Sequence, residues 1–379
     1  MATPDFSEFL QHPLSIRQLH LHIIDLPQKK QFRSGIGIRK SRQALILKWE
    51  GPDGIIGYGE SSCRPDPFYS AEFLTAGVEL IHRFIFPQLK SVNTYGNLLK
   101  CLKKIRGWHF TKAAVEFAAH DYIRQKTGDT LFHYWPHPRI NQIPVGISMG
   151  IQESQAALHE SVDDALHSAY HRLKFKVYPE FDVEVFRTAL PKLQSSYVSF
   201  DANGTLGIKD LSLIRFLTSF GSAIEQPFPP HRVDFFQEVK AQLPQLKVCP
   251  DEEIKSIGML KALHQLHAVD ELNLKIGRVG GLFNSLQIVD YCFRENIPVW
   301  IGGMFETGIG RSLNLQVASC LPQARAHDLS PSSRYFVEDL LSQPVEMDDK
   351  GYIHLDTVQQ AVNGSILEKY TTDHSILKT

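Results

Sequence analysis

Three short stretches near the start of the chain alternate hydrophobic and polar residues with a period of two: LHLHIIDLP (19–27), ALILKWEG (44–51) and IIGYGE (55–60). That period predicts antiparallel strands, with Asp53-Gly54 turning the second into the third. The pattern then changes to helical spacing, around residues 70–92 and 112–126. The second of these, KAAVEFAAHDYIRQK, reads as strongly amphipathic and stops before Gly128. Strands followed by helices predict an α+β unit. The proline-bearing segment HYWPHPRIN (133–141) marks its end.

From residue 143 the texture becomes repetitive. Strand-like runs recur, each but the last followed by a helical pattern: IPVGIS (143–148), LKFKVY (173–178), YVSFDA (197–202), SAIEQ (222–226), LKVCPD (246–251), ELNLKI (271–276), IPVWIG (297–302) and ARAHDL (324–329). Eight runs spaced by roughly one βα unit predict an α/β fold, a TIM-type (β/α)7β barrel. The expected division is an α+β capping domain over 1–138, a barrel over 139–340, and a C-terminal segment, 341–379, that returns to complete the cap.

The candidate chemistry follows from the phase of the polar residues. Lys176, Asp201, Glu225, Asp251 and Lys275 close successive strands at intervals of 24 to 26 residues, with Lys174 two residues before Lys176. Each βα unit therefore delivers an ionisable group to the C-terminal face, where barrels of this kind build their active sites. Three carboxylates from adjacent strands suit a hard divalent cation such as magnesium, which takes oxygen ligands and keeps positions open for substrate. Lys174 and Lys176 point to one side of their strand. Lys275 arrives from the other flank of the carboxylates. A lysine beside a metal and a second lysine is expected to have a lowered pKa and to serve as a base. A metal beside such a base suits removal of a proton next to a carboxylate.

Other residues read two ways. Glu252 either points away or supports the site from behind by orienting Lys275. Asn203, in DANG, is a turn residue or a substrate contact. Gly302 and Gly303 form a tight turn or let backbone amides approach an anionic ligand. Arg278 alone would be a surface arginine. The basic loop QFRSGIGIRKSR (31–42) is a lid over the substrate or a solvated hairpin end.

Composition narrows the classes. The chain has 379 residues, 43% hydrophobic and 21% charged, with a formal net charge of −1. The near balance gives no reason to expect a nucleic-acid or membrane partner. Five scattered cysteines without a CxxC pair argue against a disulfide framework or zinc site. No signal-peptide pattern is evident at MATPDFSEFL, so a cytoplasmic enzyme is expected. Monomer and homo-oligomer stay open.

LKFKVY, FDANG, IEQPF, PDEEI and LNLKIGRVGG, in this order and spacing, resemble the muconate-lactonising subgroup of the enolase superfamily. GGMFETGIGRS, with GYGES near 57–61, resembles the branch containing o-succinylbenzoate synthases and N-succinylamino acid racemases. The resemblance covers residues 19 to 340. It implies Lys176 as the base, Lys275 as the opposing lysine, and Asp201, Glu225 and Asp251 as ligands of Mg2+, with Mn2+ as a substitute. It implies a small carboxylate substrate met by Lys174, Asn203, Arg278 and the backbone of Gly302, Gly303 and Met304. The implied activity is a metal-dependent dehydratase of menaquinone biosynthesis, acting on a cyclohexadiene carboxylate; a racemase or bifunctional enzyme is the alternative. A dipeptide epimerase fits less well, and a non-catalytic scaffold least. PDEEI departs from the LDES more usual in the family.

Overall fold

The computed structural model describes residues 3–34, 37–152, 154–193 and 197–379, apart from the side chains of 32–39, 185, 189, 190 and 192. Three strands open the cap: β1 (Gln18–Ser34), β2 (Gly37–Glu50) and β3 (Ile56–Ser61). They form a meander, and Gly54, at φ 78°, makes the predicted turn between β2 and β3. The arms of the β1–β2 hairpin run much further than the period-two pattern indicated. The tip of the expected lid, residues 35–36, lies outside the described residues.

The helix His109–Thr127 packs on this sheet. It is not amphipathic as expected: residues 113–123 are buried on every side. The packing is close because β3 offers glycines. A Cβ on Gly57 would stand 2.2 Å from Ala118 O, and one on Gly59 would stand 2.1 Å from Ala114 O. The helical stretch at 70–92 forms in pieces, Leu74–Leu80 and Phe86–Leu89, joined by a wider π-type turn over Ile81–Ile85. Pro87, which lacks an N–H, begins the last piece.

The barrel strands follow: a lead-in β4 (Gln142–Pro144), then β5 (Gly146–Met149), β6 (Arg172–Lys176), β7 (Val198–Asp201), β8 (Ile224–Glu225), β9 (Val248–Cys249), β10 (Leu272–Leu274) and β11 (Val299–Ile301). β5 to β9 form one parallel sheet and β10–β11 a parallel pair. Asp270 N donating to Val248 O, at 2.9 Å, ties the two together. The eighth predicted strand, 324–329, shrinks to one bridged residue, His327. Its N–H donates to Pro144 O and its carbonyl accepts from Gly146 N, closing the ring on β5. On the other side Ile301 N donates to His327 Nδ1 at 3.0 Å. A side chain thus takes a position that a ladder carbonyl would otherwise fill.

β12 (Tyr352–His354) pairs with β4, and β13 (Thr371–Lys378) adds to the cap sheet antiparallel to β1. The C-terminal tail completes the cap. One hydrophobic core runs through both parts, from Leu47 and Phe110 to Ile276 and Leu282. No described helix is long and apolar enough to cross a membrane.

Buried glutamates dock the cap onto the barrel. Glu60, ending β3, accepts from Thr307 N, Thr307 Oγ1 and Gly310 N at the start of the helix Gly308–Ala318. Glu116 accepts from Phe283 N at 2.8 Å, at the start of the helix Leu282–Arg294, and from Tyr95 OH at 2.7 Å. Helix N-termini present unpaired N–H groups and a positive dipole end, so carboxylates belong there.

Candidate active site at the barrel mouth

Strand register sets the site. Lys176 is level with Asp201, and Asp201 with Glu225; Asp251 follows two residues beyond Cys249, the partner of Glu225. Lys275 follows β10 directly. All five line up at one end of the barrel, as the 24–26-residue spacing required. Asp201, Glu225 and Asp251 are buried, and so are Lys174 and Lys275.

Ion pairs join them. Lys176 Nζ donates to Asp201 Oδ2 at 2.5 Å and to Asn203 Oδ1 at 2.6 Å. Lys174 Nζ donates to Glu225 Oε2 at 2.6 Å, lies 3.7 Å from Asp201 Oδ2, and pairs with Asp328. Lys275 Nζ donates to Asp251 Oδ2 at 2.8 Å and to Tyr69 OH at 3.2 Å. Arg278 grips the other oxygen of Asp251.

Burial works to raise every one of these carboxyls, and the cations decide the outcome. Arg278 and Lys275 hold Asp251 well below the ordinary range, and Lys176 with Lys174 holds Asp201 down. Glu225 is pushed up to about 8 by burial and by neighbouring Asp201, despite Lys174. The lysines depart from expectation. Burial would lower Lys174 and Lys275, but Asp328 and Glu225 raise the first and Asp251 and Tyr69 raise the second. Paired carboxylates outweigh the mutual repulsion of lysines that the sequence suggested.

The structure relocates several other candidates. Glu252 does not reach Lys275 as a hydrogen-bond partner: its Oε1 accepts from Asn203 Nδ2 at 3.0 Å. Asn203, at φ 45°, therefore bridges Glu252 to Lys176. Arg278 is buried, not a surface residue. It donates to Ile254 O, Asn273 O and Tyr69 OH, and it lines a neighbouring hollow rather than the mouth cavity. Gly302 N is committed to Leu274 O, and a Cβ on Gly302 would stand 2.1 Å from Asn273 Oδ1. Met304 N donates to Glu306 Oε2 at 2.8 Å. Two of the three amides expected to face a ligand are thus already engaged. Gly303 and Met304 do line the cavity.

Several residues the sequence did not single out complete the mouth. Asp328 closes the eighth strand position in ARAHDL, in phase with the other strand-end residues, and pairs with both Arg172 and Lys174. Its place at the end of the eighth strand run, in phase with the other strand-end groups, is its signal in the sequence. Asn273 Nδ2 donates to Glu225 Oε1 at 2.7 Å. Arg64 and Tyr69 reach in from the cap, and Arg311 and Tyr335 from the far side of the barrel. No periodic signal marks these four. Ahead of the loop 31–42, Lys29 Nζ donates to Ser333 O at 2.7 Å.

Oxygen donors from three adjacent strand ends, all buried and all drawing cations, are the donor set a hard divalent ion takes. Their oxygens are not gathered within 4.8 Å of one another, because each carboxylate is turned onto a lysine or arginine. The residues fit such an ion in kind and in order.

Comparison with known proteins agrees with this architecture. Residues 157–359 match the family described as enolase C-terminal domain-like. The chain is 31% identical to the o-succinylbenzoate synthase of Listeria innocua over 92% of its length and 94% of that protein's. It is 29% identical to the enzyme of that name from Bacillus subtilis, covering 95% and 97%. An N-succinylamino acid racemase from an Amycolatopsis species is 29% identical, covering 86% and 89%. The solved structure of an enolase-superfamily member from Listeria innocua superposes with a TM-score of 0.89 at 28% identity, covering 97% of this chain and all of that one. The chain belongs to the enolase superfamily.

Proposed function

We propose that this chain is an o-succinylbenzoate synthase, a hydro-lyase of menaquinone biosynthesis. Its substrate is 2-succinyl-6-hydroxy-2,4-cyclohexadiene-1-carboxylate, from which it removes water by syn elimination. The observation that carries the site assignment is the placement of Lys176 and Lys275 on either side of three strand-end carboxylates in one barrel mouth.

Asp201, Glu225 and Asp251 would hold Mg2+, or Mn2+ in its place. When bound, the ion supplies positive charge beside the substrate carboxylate, where negative charge grows as the α proton leaves. Lys176, as the neutral amine, takes that proton. The electron pair of the broken C–H bond becomes the new C=C bond, the C–O bond to the hydroxyl breaks, and the same lysine returns the proton so that water departs. One lysine serves both transfers because syn elimination keeps both groups on one face. Lys275, from the other side, supplies a fixed positive charge. The Glu252–Asn203 pair positions Lys176.

Lys275 also favours a second reading, N-succinylamino acid racemisation, in which the two lysines exchange the α proton across opposite faces. Both activities are tested with purified protein and Mg2+. Turnover of the cyclohexadiene carboxylate supports the synthase. Absence of that turnover together with rapid racemisation of N-succinyl amino acids would sink it.

A further inference from the structure

The cap sheet carries a cluster of side chains that the barrel chemistry does not use. His20 and His22 stand two apart on β1 and share a face. The register of β13 sets His374 directly opposite His22. The rings stack, with centroids 4.1 Å apart for His22 and His374 and 5.5 Å apart for His20 and His374. One ring nitrogen from each lies within 4.8 Å of the other two. His20 Nδ1 and His374 Nε2 are 3.3 Å apart, a ring-to-ring hydrogen bond that a bound ion would replace. Two nitrogens bound to one tetrahedral ion at about 2.0–2.1 Å are separated by about 3.3–3.4 Å, so this pair already has the spacing.

The second nitrogens of two rings are also supported. His20 Nε2 lies 3.5 Å from Glu50 Oε2 without a hydrogen bond, and Glu50 is itself paired with Arg17. His22 Nδ1 lies 3.3 Å from Thr371 Oγ1, which leaves Nε2 as its ligand atom. An oxygen behind a coordinating imidazole fixes its tautomer and ring orientation. His374 is exposed, so an ion has a path in and a water can complete the shell. Three imidazoles suit a borderline ion such as zinc, copper or nickel far better than magnesium. Lys48, Arg17 and Lys378 oppose positive charge at His20 and limit the affinity.

We propose that His20, His22 and His374 form a binding site for a divalent transition ion, with zinc as the probe, which clips the C-terminal strand β13 to β1. An ion bridging the two strands ties together parts of the chain about 350 residues apart in sequence, and binding only the folded form raises stability.

The test is calorimetric titration of the full chain with zinc chloride in excess Mg2+, which occupies the barrel carboxylates, beside thermal melts with and without zinc. Wild type is expected to bind one zinc outside the barrel and to melt higher with it. His374→Ala, a change at an exposed position, is expected to weaken that binding by about tenfold or more and to lose the thermal gain, with Mg2+-dependent turnover unchanged. His20→Gln is expected to behave likewise, and Asp251→Asn to keep the zinc. Zinc binding equal in wild type and both histidine variants, or none in wild type, overturns the proposal.

Discussion

The molecule buries two sets of carboxylates, one among several cations and one at helix starts. At the barrel mouth Asp201, Asp251 and Asp328 face lysines and arginines and are held below their ordinary range, while Glu225, beside Asp201, is pushed up to about 8 despite Lys174. In the cap Glu116 accepts from Phe283 N and Tyr95 OH, and Glu60 meets a helix start with Arg42 4.0 Å away; burial pushes both up to about 7. Burial is nearly complete in both places. What differs is the partner. Cations in direct contact can offset the cost of a buried charge; where they stand farther off, or a second carboxylate stands alongside, burial prevails. Burial alone therefore does not mark a reactive carboxylate. The mouth carries a network of charge, and the cap carries docking pegs close to neutrality.

The comparison can be broken by substitution. The largest effect is expected from Lys176→Ala, which removes the proposed base: turnover should drop on the order of 10²–10⁴-fold with an unchanged circular dichroism spectrum. Activity near wild type would take Lys176 out of the reaction. Asp251→Asn should leave Lys275 and Arg278 buried without their counter-charge, destabilising the chain by about 3 kcal/mol and abolishing turnover. An unchanged denaturation midpoint would show that the mouth network is no more sensitive to charge than the cap. Asn203→Ala should lower kcat about 10–100-fold with little change in KM, since it frees Lys176 from Glu252 and leaves Asp201, Glu225 and Asp251 in place.

The last effect lies in the cap and shows only as a slope with pH. Glu116 has an ordinary value of 4.5 and is raised to about 7 in the fold. Below about pH 4.5 both states hold the proton and its contribution is fully present. Between 4.5 and 7 the unfolded chain ionises first, so stability falls as pH rises, and above 7 it levels off at its lowest. The fall is at most about 3 kcal/mol. Glu116→Gln should flatten this slope in melts run from pH 4.5 to 8, and an unaltered slope would assign it to other groups.

The barrel and the order of its site were legible because both are periodic. A βα unit repeats at a nearly fixed length, so Lys176, Asp201, Glu225, Asp251 and Lys275 announce themselves by phase, and Asp328 shares that phase at the last strand position. The helix His109–Thr127 was legible as a helix, but its all-round burial was not. That burial depends on Gly57 and Gly59 bringing a sheet against one side while the barrel covers another. Arg278 read as a surface residue because a single arginine after a strand has no periodic signal. Its buried grip on Asp251 exists only because the chain after β10 folds back under that carboxylate.

By itself the sequence determined the class of fold, the repeat, and which ionisable groups share the barrel's C-terminal end, because strand period and βα length are local properties of the chain. Only the tertiary structure decided which of those groups pair, which amides are already spent, and that Arg64, Tyr69, Arg311 and Tyr335 complete the mouth. Those outcomes depend on side chains far apart in sequence meeting in a space from which water is excluded, where the partner present, rather than the residue type, fixes the charge.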